Sequence, residues 1–193
     1  MSDGDQRVYR MAGCVQLGKR VLIVFAFLFI LGLLLIPTRC SSEGKGYINL
    51  KVLNVLTEFR EGLHSYDVDH GHYPVDQAHT TGDLKTTSRG LLISLLIGSN
   101  IQGLNKKEIQ FCEFKAARNH QDGIWQDGKD WVLSDPWGQE YQIILDTDND
   151  GHVANPDIRE SGRVPTIPLK IGIFSAGPDG DPATWDDNIK SWK

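Results

Sequence analysis

The apolar positions of this chain fall into three regimes. Residues 21–36 are sixteen consecutive apolar residues, Gly32 included, and no comparable run follows. After a polar joint at 41–47 the pattern becomes spaced: Val52, Leu56, Phe59, Leu63 and Tyr66 recur at intervals of 4, 3, 4 and 3. That spacing marks one face of an α-helix, with Glu58, Arg60, Glu61 and His64 on the others. It predicts an amphipathic helix over 48–69, closed by Gly71 as its C′ residue with Pro74 just beyond. From residue 131 onward the apolar residues come in short, strand-like groups instead.

Between these regimes the reading is coarser. Residues 75–90 are polar and rich in turn formers, which predicts a loop. The leucine-dominated stretch 90–97 predicts a second, short helix, and 105–115 a helical turn or two. Residues 116–130 read as a loop carrying Trp125. Residues 131–133 suggest a short strand, Asp135-Pro136-Trp137-Gly138 a turn, and 141–145 and 169–174 strands by residue type. The order implies an α+β domain: a long N-terminal helix, transmembrane then amphipathic, packed on a small antiparallel β-sheet.

The apolar run is a little short of the roughly 20 residues that span a bilayer core. Pro37 and Thr38 can extend it outward. A signal peptide is the alternative, with an h-region of about 7–15 residues. The sequence after the run, Pro37-Thr38-Arg39-Cys40, lacks a small-x-small cleavage site, and Arg39 does not suit a lipoprotein signal. Length and flanks therefore favour a retained anchor. Arg7, Arg10, Lys19 and Arg20 precede it, which places the N-terminus in the cytoplasm. The expected organisation is a cytoplasmic segment at 1–20, an anchor at 21–38 and an exported domain at 39–193. The net charge of −5 and the lack of a basic cluster beyond the N-terminal flank argue against a nucleic-acid partner. Of the cysteines, Cys14 falls on the cytoplasmic side; Cys40 and Cys112 are either a disulfide or two unrelated thiols.

Candidate chemistry lies in two acidic stretches. In Asp146-Thr147-Asp148-Asn149-Asp150-Gly151-His152, carboxylates alternate at the first, third and fifth places and glycine follows. This is the first half of a calcium loop. Calcium takes about six to eight oxygens, alternating aspartates in a tight loop point inward together, and the His152 carbonyl can add another. Asp157 stands at the twelfth place, where a glutamate is usual. A solvated acidic turn is the plainer reading of the same residues. The second stretch holds Asp179, Asp181, Asp186 and Asp187, carboxylates whose mutual repulsion a divalent cation would relieve. His70 and His72 fit no standard zinc spacing and read as a polar helix end. The five tryptophans are more simply core than a sugar platform. No nucleophile elbow, phosphate loop or cysteine–histidine signature is present, so no enzyme is expected.

Three stretches together resemble the pseudopilins of type II secretion, in particular the major pseudopilin. They are Tyr66-Asp67-Val68-Asp69-His70-Gly71-His72-Tyr73-Pro74 at the helix end, Asp135-Pro136-Trp137-Gly138-Gln139-Glu140-Tyr141 before a strand, and Phe174-Ser175-Ala176-Gly177-Pro178-Asp179-Gly180 followed by Asp186-Asp187-Asn188-Ile189 and Trp192. The resemblance covers the anchor and most of 48–74 and 131–193, and leaves 75–130 unmatched. It implies a pilin-like fold, a structural role beside like subunits and other secretion-machine proteins, and a C-terminal calcium site. In that site Asp179, Asp186 and Asp187 would supply side chains, with a backbone carbonyl near Phe174 and Ser175. The 146–157 loop reads as an insertion. One departure is plain: Gly18 is followed by Lys19-Arg20-Val21-Leu22-Ile23 rather than Phe-Thr-Leu, and the apolar run holds no glutamate. A membrane-anchored calcium-dependent binding domain that forms no filament is the rival reading.

Overall fold

A computed structural model describes residues 40–76, 82–157, 159–160 and 162–192, so the expected anchor at 21–38 lies outside the described residues. Among the described residues no helix is long and apolar enough to cross a membrane.

Helix α1 (Cys40–His70) carries the expected face. Val52, Leu56, Phe59, Leu63 and Tyr66 are all fully buried. The helix ends where glycine permits it. Gly71 has φ 77° and its N–H donates to the Asp67 carbonyl at 2.7 Å, the bond of a left-handed C-terminal cap. The apolar face of α1 packs on a four-stranded antiparallel sheet of order β1-β4-β7-β8. Its strands are β1 (Leu84–Thr87), β4 (Gln142–Leu145), β7 (Ile171–Ser175) and β8 (Ile189–Lys190). Alternation decides which residues face the helix. Ile143 pairs with Ile173 and Leu145 with Ile171, and all four join the core under α1. On the opposite face Phe174 packs against Trp185 at 4.8 Å between ring centroids.

Helix α2 (Leu91–Leu96) forms as the leucine-rich stretch suggested. A hairpin of β2 (Gly123–Asp127) and β3 (Asp130–Ser134) lies beside α2. Ser88 stitches this hairpin to the sheet: its hydroxyl donates to the Leu133 carbonyl at 2.6 Å and accepts the Tyr141 N–H at 2.8 Å. A second small hairpin, β5 (Val153–Ala154) with β6 (Thr166–Ile167), closes the long connection before β7.

Three expectations need correction. The loop at 75–90 contains β1, and the loop at 116–130 contains β2, with Trp125 in it. No helix forms at 105–115; residues 105–107 end a turn and 108–115 run on as irregular chain, held by Asn105, whose side chain bonds the Leu95 carbonyl and the N–H and carbonyl of Ile109. Cys112 is a buried free thiol seated against Gly62 of α1, and burial pushes its pKa up to about 12.

Candidate metal centre

Strand β4 runs straight into the first acidic loop. Asp146, the next residue, is 1% exposed, and its N–H still continues the ladder to the Lys170 carbonyl at 3.0 Å. Its carboxylate then organises the loop. One oxygen accepts the Gly151 N–H at 2.9 Å and the other the Asp150 N–H at 3.2 Å. Asp150 accepts the His152 N–H at 2.7 Å. Asn149 and Gly151 adopt positive φ, which Asn and Gly tolerate better than most residues.

The register of β1 on β4 adds a residue that sequence reasoning missed. Leu84 opposes Leu145, so the preceding Asp83 opposes Asp146. Oxygens of Asp83, Asp146 and Asp148 lie within 4.8 Å of one another. The Thr147 hydroxyl donates to the Gly82 carbonyl, and Asp83 accepts the Ala154 N–H at 2.5 Å, so the two edges are tied together. Like charges placed opposite on a sheet repel. The donors are all hard oxygen, the class that calcium or magnesium prefers and that zinc or copper does not. These residues fit a hard divalent cation, whose remaining ligands would be carbonyls or water. Asp83 gave one signal in the sequence, a carboxylate just before a short β-capable run.

The other expected ligands are placed elsewhere. Asp157, also 1% exposed, does not join the loop. Arg159 grips it through Nε and Nη2, at 3.1 and 3.0 Å, and bonds Asp186 at 2.6 Å and the Trp185 carbonyl at 3.1 Å. The guanidinium beside it holds the Asp157 carboxyl below its ordinary value. Asp186 is thus an arginine partner on an exposed loop. Asp187 lies under the preceding 177–180 turn: it accepts the Asp179 N–H at 3.4 Å, and a side chain at Gly177 would meet its carbonyl at 2.6 Å. Asp179 accepts the Thr184 hydroxyl at 2.5 Å and the Asp181 N–H at 2.9 Å; the Thr184 bond lowers its pKa. Asp179, Asp186 and Asp187 do not form a three-carboxylate group as tight as that at Asp146 among the described residues. Asn188 Oδ1 nevertheless lies buried with no hydrogen-bond partner among the described residues, while the amide nitrogen donates to the Pro182 carbonyl at 3.2 Å.

The Asp-Pro-Trp-Gly turn is structural. Asp135 is fully buried; one oxygen accepts the Trp137 and Gln139 N–H groups at 2.9 Å and the other accepts the Ser175 hydroxyl at 2.6 Å. His70 and His72 give their Nδ1 atoms to backbone carbonyls at the helix end, and His70 stacks on Tyr66 at 4.1 Å.

No protein-family profile matches the chain, and no solved structure does. The residues that resemble a pseudopilin are nonetheless joined by likeness along nearly the whole length: the chain is similar to the type II secretion system core protein G of Dickeya chrysanthemi, 27% identical over 173 residues that cover 89% of this chain and 81% of that protein.

Proposed function

We propose that this chain is a structural, non-enzymatic subunit of a type II secretion or pilus-type envelope machine. It would be anchored in the bacterial inner membrane by residues 21–38, with the N-terminus cytoplasmic and the domain periplasmic, and assemble with like subunits and other secretion-machine proteins. The observation that carries this reading is the similarity to a secretion core protein over 89% of the chain. The helix-on-sheet fold that presents one long helix agrees with it. Calcium would bind at Asp146 and Asp148, with Asp83 added and Asp150 and the His152 carbonyl nearby. It would bind also at the C-terminal loop of Asp179 and Asp187, where the Asn188 oxygen, without a hydrogen-bond partner among the described residues, offers a further hard donor.

The missing glutamate in the apolar run favours one rival, a calcium-dependent binding domain on a fixed anchor. An intramembrane carboxylate is expensive, and is retained where it is used. Crosslinking separates the two. Single cysteines are placed along 21–36 in a chain lacking Cys14 and Cys40, and oxidised in native membranes. Disulfide-linked dimers at a periodic subset of positions are expected, since one cysteine per chain forms one interchain bond. Monomers at every position would sink the assembly reading in favour of the fixed anchor.

A further inference from the structure

A cleft of about 250 Å³ opens between α1 and the β2–β3 hairpin. Neither the expected calcium sites nor the assembly reading makes use of it. Val55, Phe114 and Leu133 form its apolar lining, and Tyr141 reaches it from the core. The Tyr141 residue is 1% exposed and lines the cleft, and its hydroxyl makes no hydrogen bond among the described residues. A buried tyrosine normally finds a partner for that group.

Lys51 and Lys115 also line the cleft, and both donate to the same oxygen of Asp122. One carboxylate oxygen therefore serves two ammonium groups, whose side chains are otherwise open to the cleft and to solvent. Glycine makes this crowding possible. A Cβ at Gly123 would run into the Lys115 carbonyl and come within 2.9 Å of the Ala117 nitrogen. Without it, Ile124 donates to the Lys115 carbonyl at 2.8 Å and Ala117 to Ile124 at 2.9 Å, so 115–117 runs alongside β2 and carries Lys115 to Asp122. Burial lowers the Lys115 pKa, and Lys51 adds to that against the pull of Asp122. Glu58 and Glu113 are exposed at the cleft, and Glu58 accepts the Glu113 N–H at 3.0 Å.

We propose that this cleft is a binding site for a small monocarboxylate with an apolar body. The carboxylate supplies the second negative charge for Lys51 and Lys115, the body lies against Val55, Phe114 and Leu133, and the Tyr141 hydroxyl is the buried hydrogen-bond donor. The site needs no second copy of the chain and no metal.

The test uses the full chain in detergent and 4-fluorophenylacetate, followed by fluorine NMR. Saturable binding is expected, with the uncharged 4-fluorophenylacetamide at least tenfold weaker on the same protein. Y141F should weaken acid binding about fivefold, the loss of one hydrogen bond, and K115Q by tenfold or more. Non-saturable uptake, which is partition into the micelle, would overturn the proposal. So would equal binding of acid and amide, a comparison that requires no variant to fold. Unchanged affinity in both Y141F and K115Q would place any bound acid elsewhere and overturn it as well.

Discussion

At the scale of single residues, the Asp135 carboxylate is fully buried and held by the Trp137 and Gln139 N–H groups and the Ser175 hydroxyl. Burial raises its pKa, while Ser175 and the backbone N–H groups of the turn pull it down. The raised value wins, so this group's contribution is full below its unfolded value, about 3.9, and is lost as pH rises through the folded value. Ser175→Ala leaves one buried carboxylate oxygen without a donor and should cost about 1–3 kcal/mol. It also pushes the folded pKa higher still, so the penalty should be larger at pH 7 than at pH 4.5. Melting curves at both pH values check this; an equal penalty at both would mean that Asp135 keeps one protonation state across that range. Asp122 behaves oppositely. Burial alone would raise it, but the lysine hydrogen bonds and charges leave it lowered. Its contribution is therefore present above the unfolded value and is lost as pH falls through the folded one.

At the scale of elements, the buried face of α1 was legible position by position, because burial on one helical face needs only spacing, but its start was not: the helix begins at Cys40 and takes in the polar joint at 41–47. All five apolar positions read from the sequence are core residues. The strands missed were those whose sequence carries little apolar alternation. Strand β1, Leu-Lys-Thr-Thr, is an edge paired only to β4, so half-burial suffices and threonine serves. The β2–β3 hairpin carried a readable signal in Asp127-Gly128, a turn dipeptide set in a segment taken for loop; Gly128 has φ 62°. What no pattern announced is the close seat of Cys112 on Gly62. Glycine inside a helix normally costs about 0.5–1 kcal/mol relative to alanine. Here Gly62→Ala should destabilise instead, by about 1–3 kcal/mol, because its Cβ would overlap the Cys112 sulfur and stand 3.1 Å from the Phe111 carbonyl. Cys112→Ala removes the closer of these two obstacles, so the double variant should be more stable than the sum of the two single effects. Chemical denaturation of the four proteins checks that coupling, and simple additivity would show that α1 does not rest on the thiol.

At the scale of the whole molecule, the acidic residues were visible in sequence but their grouping was not. Grouping depends on register and on arginine. Asp83 lies 63 positions before Asp146 and meets it only because β1 pairs with β4. Asp157 lies 11 positions after Asp146 and is drawn away by Arg159 to the C-terminal loop. A cation at Asp83, Asp146 and Asp148 would bind across two segments far apart in sequence, and so would stabilise the domain rather than one loop. Binding to the folded state alone adds about 2.7 kcal/mol at a hundredfold excess over Kd. Asp83→Asn then separates cation from turn by its sign. In chelator the variant should melt at or above the parent, because it loses a like charge opposite Asp146 while keeping an oxygen for the Ala154 N–H. In calcium it should melt below the parent, because it has lost a ligand. Melting the full chain in detergent under both conditions gives the answer. A variant that melts lower by the same amount with and without calcium would mean that Asp83 serves only the β5 hydrogen bond, and that the acidic corner works without metal.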